Sequence, residues 1–181
     1  MCGSFCTLSR AVSAMKALRA TGLDLLPLMS EAVYTTDTRF GTAQSWREQV
    51  GEICGREIIH TVTGAEPLGP RTPLEALIVC PCTGGTLAKL ANGITDGTVT
   101  MAVKAHLRSD RPLLLALASN DALSANLGNL AVLLNRKNVY FVPLVQDDPV
   151  AKPHSLVADF SRVPEALDAA LRGRQLYPLF G

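Results

Sequence analysis

Thr83, Gly84, Gly85 and Thr86 set two hydroxyls around two residues without side chains, just after an apolar run from Leu74 to Cys80 and before the helix formers Leu87 to Asn92. That order predicts a strand, a tight turn and a helix start. The first amides of a helix have no acceptor within it and lie at its positive end. Such a turn can therefore hold an anion, with glycines admitting it and threonines adding donors. A phosphorylated cofactor is the corresponding ligand. The pattern is neither the Gly-Lys-Ser/Thr nucleotide loop nor the Gly-x-Gly-x-x-Gly dinucleotide fingerprint, and taken alone it describes a structural strand-to-helix connection equally well.

Other polar residues fall at comparable places. Ser30 follows the apolar run Leu23 to Leu28, and Ser119 and Asn120 follow the run Leu113 to Ala118, at the strand ends where open α/β sheets place ligands. Ser119-Asn120-Asp121 serves equally as a cap for the helix expected from about Leu123 to Asn135. Gly3 and Ser4 form a glycine-serine loop opening the helix Leu8 to Ala20. Arg39, in the polar loop Tyr34 to Gly41, carries a planar fork matched to a carboxylate; Lys89 is a second cation, or a solvated helix charge. Asp121 and Asp147 are able to move a proton, or simply to hold turns.

His60, His106 and His154 have no companions at the spacing of a catalytic triad and read as surface or structural residues. The absence of an obvious acid–base pair favours a flavin or nicotinamide, which carries redox chemistry without a protein nucleophile. Cys80-Pro81-Cys82 lacks neighbouring third and fourth ligands, so no metal site is expected.

The elements that would position these groups alternate along the chain. Strands are expected at Leu23 to Leu28, Ile58 to Val62, Leu74 to Cys80, Leu113 to Ala118 and Val139 to Pro143. Helices are expected at Leu8 to Ala20, Ala43 to Cys54 (capped by Thr42, ended by Gly55), Val99 to Arg108, Leu123 to Asn135 and Val163 to Arg172. Glu66 to Pro73 reads as a proline-stiffened connection, and Gln146 to Ser155 as irregular. Strand–helix alternation with right-handed crossovers predicts one α/β domain over residues 1–181, a three-layer parallel sheet of Rossmann-like kind. No strand feeds the Gly3-Ser4 loop, so the first strand of such a sheet is missing. Its neighbours would then show unpaired edges unless the fold compensates or the true start lies upstream.

Composition narrows the function classes. With 181 residues, 18% charged and 48% hydrophobic, the chain can bury one substantial core and has apolar surface to spare for a homo-oligomer. A net charge of +1 without basic runs excludes the nucleic-acid footprint. No secretory signal and no bilayer-length apolar stretch are visible, and five cysteines without a Cys-x-x-Cys pair suit the cytoplasm.

Five stretches in collinear order carry a resemblance over nearly the whole chain. They are Thr36 to Gly41, Glu66 to Pro70, Pro81 to Asp96, Ser119 to Leu123 and Gln146 to Ser155. The chain resembles the flavoprotein family of the flavin prenyltransferases and phosphopantothenoylcysteine decarboxylases, and within it the branch of dipicolinate synthase B subunits. That resemblance implies a flavoprotein fold and flavin mononucleotide (FMN) bound near Gly3, Ser4, Thr83, Gly84 and Thr86, with Ser30, Ser119 and Asn120 along the same edge. It further implies a trimer or larger homo-oligomer. Together with the nicotinamide-dependent (NAD(P)) A subunit of dipicolinate synthase, it implies conversion of a hydroxy-tetrahydrodipicolinate to dipicolinate during sporulation. Arg39 and Lys89 would then pair with the dicarboxylate substrate. Thr35 to Phe40 lacks the histidine of the decarboxylases, which argues against cysteine decarboxylation. The alternatives are a non-catalytic scaffold for the A subunit and a stand-alone FMN-dependent decarboxylase or prenyltransferase.

Overall fold

A continuous apolar run without alternation suits a strand covered on both faces, and Leu113–Ser119 is the centre of the sheet, with every residue but the last buried. In the computed structural model, which describes residues 1–69 and 71–181, helices α1 (Leu8–Ala20), α2 (Glu31–Thr35), α3 (Ala43–Cys54) and α4 (Val62–Ala65) precede strand β1 (Leu77–Cys82). Helices α5 (Gly84–Ala91) and α6 (Thr98–Leu107) lead to the central strand β2, followed by α7 (Leu127–Leu134), β3 (Val139–Phe141), β4 (Leu144–Val145), β5 (Leu156–Ala158) and α8 (Val163–Leu171). Short 3-10 turns at Phe5–Thr7 and Phe160–Arg162 lead into α1 and α8.

β1 and β3 flank β2 in parallel, as the alternation of strands and helices requires. Helix α5 packs against both α6 and α7, and the three lie against these strands, while α1 and α8 pack together on the sheet as a second layer. Leu113, Leu114, Leu115 and Leu117 are fully buried, each contributing about 2 kcal/mol through burial. The expected α/β architecture with a parallel core is present.

The sheet departs from wholly parallel at its far side. β5 pairs antiparallel with the end of β2 through Ala118 and Ser119, and β4 pairs antiparallel with β5. Without a crossover helix between β4 and β5, the chain simply turns back, and a strand entering that way runs antiparallel. The three residues of β5 fall just beyond a stretch expected to be irregular, and they are too few to show a periodicity.

Helices α1 and α3 have the expected bounds. Thr42 Oγ1 accepts the Ser45 N–H at 3.1 Å, and Gly55 ends α3 with φ of +63°. α7 starts later than expected, because residues after Ser119 are tied into a turn in which the Asp121 carbonyl accepts the Ser124 and Asn126 N–H groups.

The runs Leu23 to Leu28 and Ile58 to Val62 form no extended strands. They meet in one parallel bridge, Leu28 with Ile59, and Val62 already begins α4. Their expected neighbour is represented by two residues. The Met1 amino group donates to the Leu28 carbonyl at 2.7 Å, Ser30 N–H donates to the Met1 carbonyl at 2.9 Å, and Cys2 N–H donates to the Pro81 carbonyl at 3.1 Å. Met1 and Cys2 thereby join the two edges at their carboxyl ends. In the connection before β1, Leu68 bridges Thr72, and Gly69 takes φ of +93° close to the Ala105 carbonyl; Pro70, also placed in this loop, lies outside the described residues.

Candidate functional site

Thr83 sits at the N-cap of α5 in extended conformation, where its Oγ1 accepts the Thr86 N–H at 3.1 Å and donates to Thr86 Oγ1 at 3.0 Å. This meets one of the amides left without intrahelical acceptors; those of Gly84 and Gly85 precede it in the same turn. Thr83→Val, which keeps the volume but removes the cap, is expected to lower stability by about 1 kcal/mol. Thr83→Ser is expected to restore it, as read from urea unfolding midpoints.

The two glycines of the turn face different surroundings. A Cβ on Gly85 would meet nothing within 4 Å, so its side of the turn is open. A Cβ on Gly84 would lie 2.3 Å from Ser119 Oγ, 2.7 Å from Asn126 Nδ2 and 2.8 Å from Asp121 Oδ1. Gly84 is therefore required for packing. Ser119 Oγ donates to Asp121 Oδ1, while Asn126 Nδ2 donates to Asp121 Oδ2 at 2.9 Å. Asn129 donates to Asn126 Oδ1 at 3.0 Å, and Asn92, which caps the end of α5, reaches Asn129 at 3.3 Å. The Ser119 hydroxyl bond holds the Asp121 carboxyl below the usual range. Ser119 and Asp121 thus form an internal brace between the end of β2 and α5.

A cavity of about 740 Å³ opens on the other side, bounded by the starts of α2, α4 and α6 and by α5; Ser30, Thr86 and Lys89 line it. Ser30 Oγ is buried and has no hydrogen-bond partner, a condition that polar groups rarely keep without a ligand or water. The Gly3-Ser4 loop lies beside this region: Cys2 is bonded to Pro81 at the end of β1, and Gly3 lies near Ala32 of α2. Lys89 Nζ is 2.7 Å from Asp96 Oδ2, with both side chains about half exposed, and this bond lowers the Asp96 pKa.

The structure therefore brings Ser30, Thr86 and Lys89 to one cavity, with Thr83 holding the adjoining turn. It does not bring Arg39 there. Thr38 and Gly41 exchange backbone hydrogen bonds at 3.0 and 3.1 Å, leaving Arg39 and Phe40 on an exposed turn with the guanidinium 4.8 Å from the Phe40 ring centre. Asn120 is exposed and outside the cavity lining, as is Asp147, which is paired with Lys152 at 2.7 Å.

Two cavity residues escape reading from sequence. Tyr34 and His60 stack with ring centres 3.8 Å apart and planes within 3°, and the Arg47 guanidinium lies 4.9 Å from the Tyr34 ring. His60 Nδ1 is 3.2 Å from the Ile58 carbonyl and donates to it. Tyr34 belongs to α2 and His60 to the segment just before α4, so no spacing links them. His106, in contrast, is buried in α6 and bonds the Pro112 carbonyl at 2.9 Å, a structural role.

Cys80 and Cys82 are poor nucleophiles: burial pushes the Cys80 thiol up to about 12 and raises Cys82 well above its ordinary value. Among the described residues no cluster of three His, Cys, Asp or Glu residues is suited to hold a metal ion, and no helix is long and apolar enough to cross a membrane.

A parallel α/β core with a threonine-capped glycine turn beside a buried, unpartnered serine is the frame of the chain, and the Flavoprotein family profile matches residues 14–163. The chain belongs to the flavoprotein family. Within it, the chain is similar to the B subunit of dipicolinate synthase of Bacillus subtilis (strain 168), at 40% identity over 177 residues, which are 98% of this chain and 88% of that protein. The crystal structure of the dipicolinate synthase B subunit from Bacillus halodurans C superposes with a TM-score of 0.91 at 40% identity, covering 99% of this chain and 92% of that one. The FMN-dependent cysteine decarboxylase SpaF shares the fold, with a TM-score of 0.67 at 21% identity over 94% of this chain and 91% of that one.

Proposed function

We propose that the chain is the B subunit of a dipicolinate synthase. Together with a nicotinamide-dependent A subunit it converts a hydroxy-tetrahydrodipicolinate to dipicolinate, in the cytoplasm of a sporulating cell and as a homo-oligomer. The ring loses water and then two electrons with two protons, one electron pair leaving as hydride to the nicotinamide held by the A subunit. The collinear 40% identity to the B subunit of dipicolinate synthase supports the assignment.

In this reading the cavity takes the phosphate end of FMN. The observation that carries it is the buried, unpartnered Ser30 hydroxyl in the wall that Thr86 also lines. The donor set fits: the Gly84 and Gly85 amides at the start of α5, the Thr86 hydroxyl and Ser30 are all suited to an anion. Ser4 of the first loop and Gly3, which lets backbone approach, complete the phosphate side. When bound, a flavin supplies one- or two-electron redox chemistry. The chain's own part is to bind and orient. Lys89 meets a substrate carboxylate by exchanging its Asp96 partner, a weak exposed pair that costs little to break. Arg39 reaches a substrate only when another protomer presents it to the exposed turn.

The test is the visible spectrum of the purified chain after FMN addition and desalting, followed by dipicolinate formation with the A subunit. Retained flavin bands are expected. Ser30→Ala is expected to weaken FMN binding roughly tenfold, the loss of one hydrogen bond to a charged group, with the unfolding midpoint unchanged. An FMN affinity unchanged in Ser30→Ala would remove Ser30 from the site.

A second reading, a non-catalytic scaffold for the A subunit, draws on a specific observation. Ser119 and Asp121 are satisfied by each other, and Lys89 is already paired. A colourless protein that still stimulates the A subunit would favour it.

A further inference from the structure

Two side chains lining the cavity beside α5, Tyr34 and His60, are held in place by several contacts, and the binding of the FMN phosphate uses neither of them. His60 is exposed, yet three contacts fix it. Its ring lies flat on Tyr34 of α2, with centres 3.8 Å apart and planes within 3°. Its Nδ1 donates to the Ile58 carbonyl at 3.2 Å, and its own carbonyl accepts from Thr98 Oγ1 of α6 at 2.8 Å. Tyr34 is fixed in turn by Arg47 of α3, which donates to the Tyr34 carbonyl and sets its guanidinium 4.9 Å from the ring centre. Ordering an exposed ring costs rotamer freedom, and contacts drawn from α2, α3 and α6 offset that cost here. With Nδ1 donating to a carbonyl in either charge state, Nε2 is the ring atom left to exchange a proton. The volume of about 740 Å³ suits a small ligand, and the same lining holds the unpartnered Ser30 hydroxyl and Lys89. Its other ionisable groups are Glu31 and Asp96, the latter paired with Lys89 at 2.7 Å. Histidine is the side-chain type among these suited both to take and to give a proton near neutrality.

We infer that His60 is the proton-transfer residue for the loss of water from the hydroxy-tetrahydrodipicolinate, a role that rests on the dipicolinate synthase reading. Nε2 removes a proton from the ring carbon beside the one that bears the hydroxyl. The electron pair of that C–H bond becomes the new C=C bond as the C–O bond breaks, and the departing oxygen takes the same proton back from Nε2. One water leaves, no electrons pass to a cofactor, and His60 returns to its starting state. A single ring nitrogen therefore serves both halves of the step, which suits a cavity whose lining offers one histidine. The bond from Nδ1 to Ile58 persists throughout, and the face of Tyr34 keeps the ring from turning as the proton comes and goes. Lys89 in the same lining takes a substrate carboxylate, so charge fixes one end of the dicarboxylate while the imidazole meets the hydroxyl-bearing edge.

The test measures dipicolinate formation with the A subunit for the wild type, for His60→Phe, which keeps a ring against Tyr34 but carries no proton, and for His60→Ala with and without added imidazole. His60→Phe is expected to lower kcat roughly 100-fold or more while KM changes by less than about threefold, and imidazole is expected to restore part of the activity of His60→Ala. Tm and FMN retention are expected to match the wild type in both variants. Wild-type kcat in His60→Phe would overturn the proposal and leave the stack a structural one. A raised KM with unchanged kcat, or loss of retained FMN, would overturn it as well, making His60 a binding residue. A second readout needs no turnover: dipicolinate added to the chain alone is expected to shift the His60 ring resonance, identified by its loss in His60→Phe, and to leave that of His154 in place. No shift at saturating dipicolinate would remove His60 from the substrate's surroundings. A wild type that forms no dipicolinate with the A subunit overturns the dipicolinate synthase reading and this role with it, whereas an active wild type with an equally active His60→Phe overturns this role alone.

Discussion

Gly84→Ala is expected to destabilise the protein by about 2–3 kcal/mol, lowering Tm by roughly 5–10 °C, although alanine is the better helix former. Backbone geometry is no obstacle, since Gly84 lies in α5 with an ordinary negative φ. The penalty comes from the added methyl, 2.3 Å from Ser119 Oγ and under 3 Å from Asn126 and Asp121. These three groups cannot yield independently. Moving Ser119 breaks its bond to Asp121, and moving Asn126 breaks a chain that reaches Asn129 and then α5 itself. Gly85→Ala is the internal control: with nothing within 4 Å of its Cβ, it is expected to stabilise by about 0.5–1 kcal/mol. Calorimetry on both variants separates packing from propensity, and equal Tm values for the two would disprove the brace.

Acid destabilisation beginning below about pH 6.5 is the second large effect, and His106 is its source. The side chain is fully buried, its Nε2–H donates to the Pro112 carbonyl at 2.9 Å, and its Nδ1 has no partner. Burial lowers its pKa, and Arg111 acts in the same direction, against the smaller opposing effect of the Pro112 bond. Because the folded pKa lies below that of the unfolded chain, the unfolded state binds the extra proton first as pH falls. Stability is therefore full above about pH 6.5 and falls by up to about 1.4 kcal/mol per pH unit, levelling below the folded pKa. The depressed carboxyls, Asp96 and Asp121 among them, act only below about pH 4, the unfolded aspartate range, so the two windows separate. Urea midpoints between pH 7.5 and 5 should show this slope in the wild type, and His106→Gln, which keeps a donor toward Pro112, should flatten it. An unchanged slope in that variant would assign the effect elsewhere.

Much of the frame was legible because it rests on local rules. Leu8–Ala20 and Ala43–Cys54 have apolar positions at helical spacing, and Thr42 and Gly55 mark the second helix's ends, so their bounds were readable. The strand, turn and helix around Thr83 were readable for the same reason, as was the central strand, whose unbroken apolar run of leucine and alanine fits a doubly covered position. The runs at Leu23 and Ile58 have the composition of strands yet form a single bridge, because a strand needs a partner along its length and composition does not say whether one is present.

The sequence by itself determined the α/β class and the strand, turn and helix around Thr83, both consequences of neighbouring residues. Only the tertiary structure decided which polar groups are free. Ser119 and Ser30 follow apolar runs in the same way, yet one is consumed by Asp121 and the other is buried without a partner. Arg39 and Lys89 are both cations beside polar loops, but only Lys89 lines the cavity, and Tyr34 meets His60 across two segments unrelated in spacing. Whether a hydroxyl or a charge is available depends on partners brought from elsewhere in the chain, and those are set by how helices and strands pack.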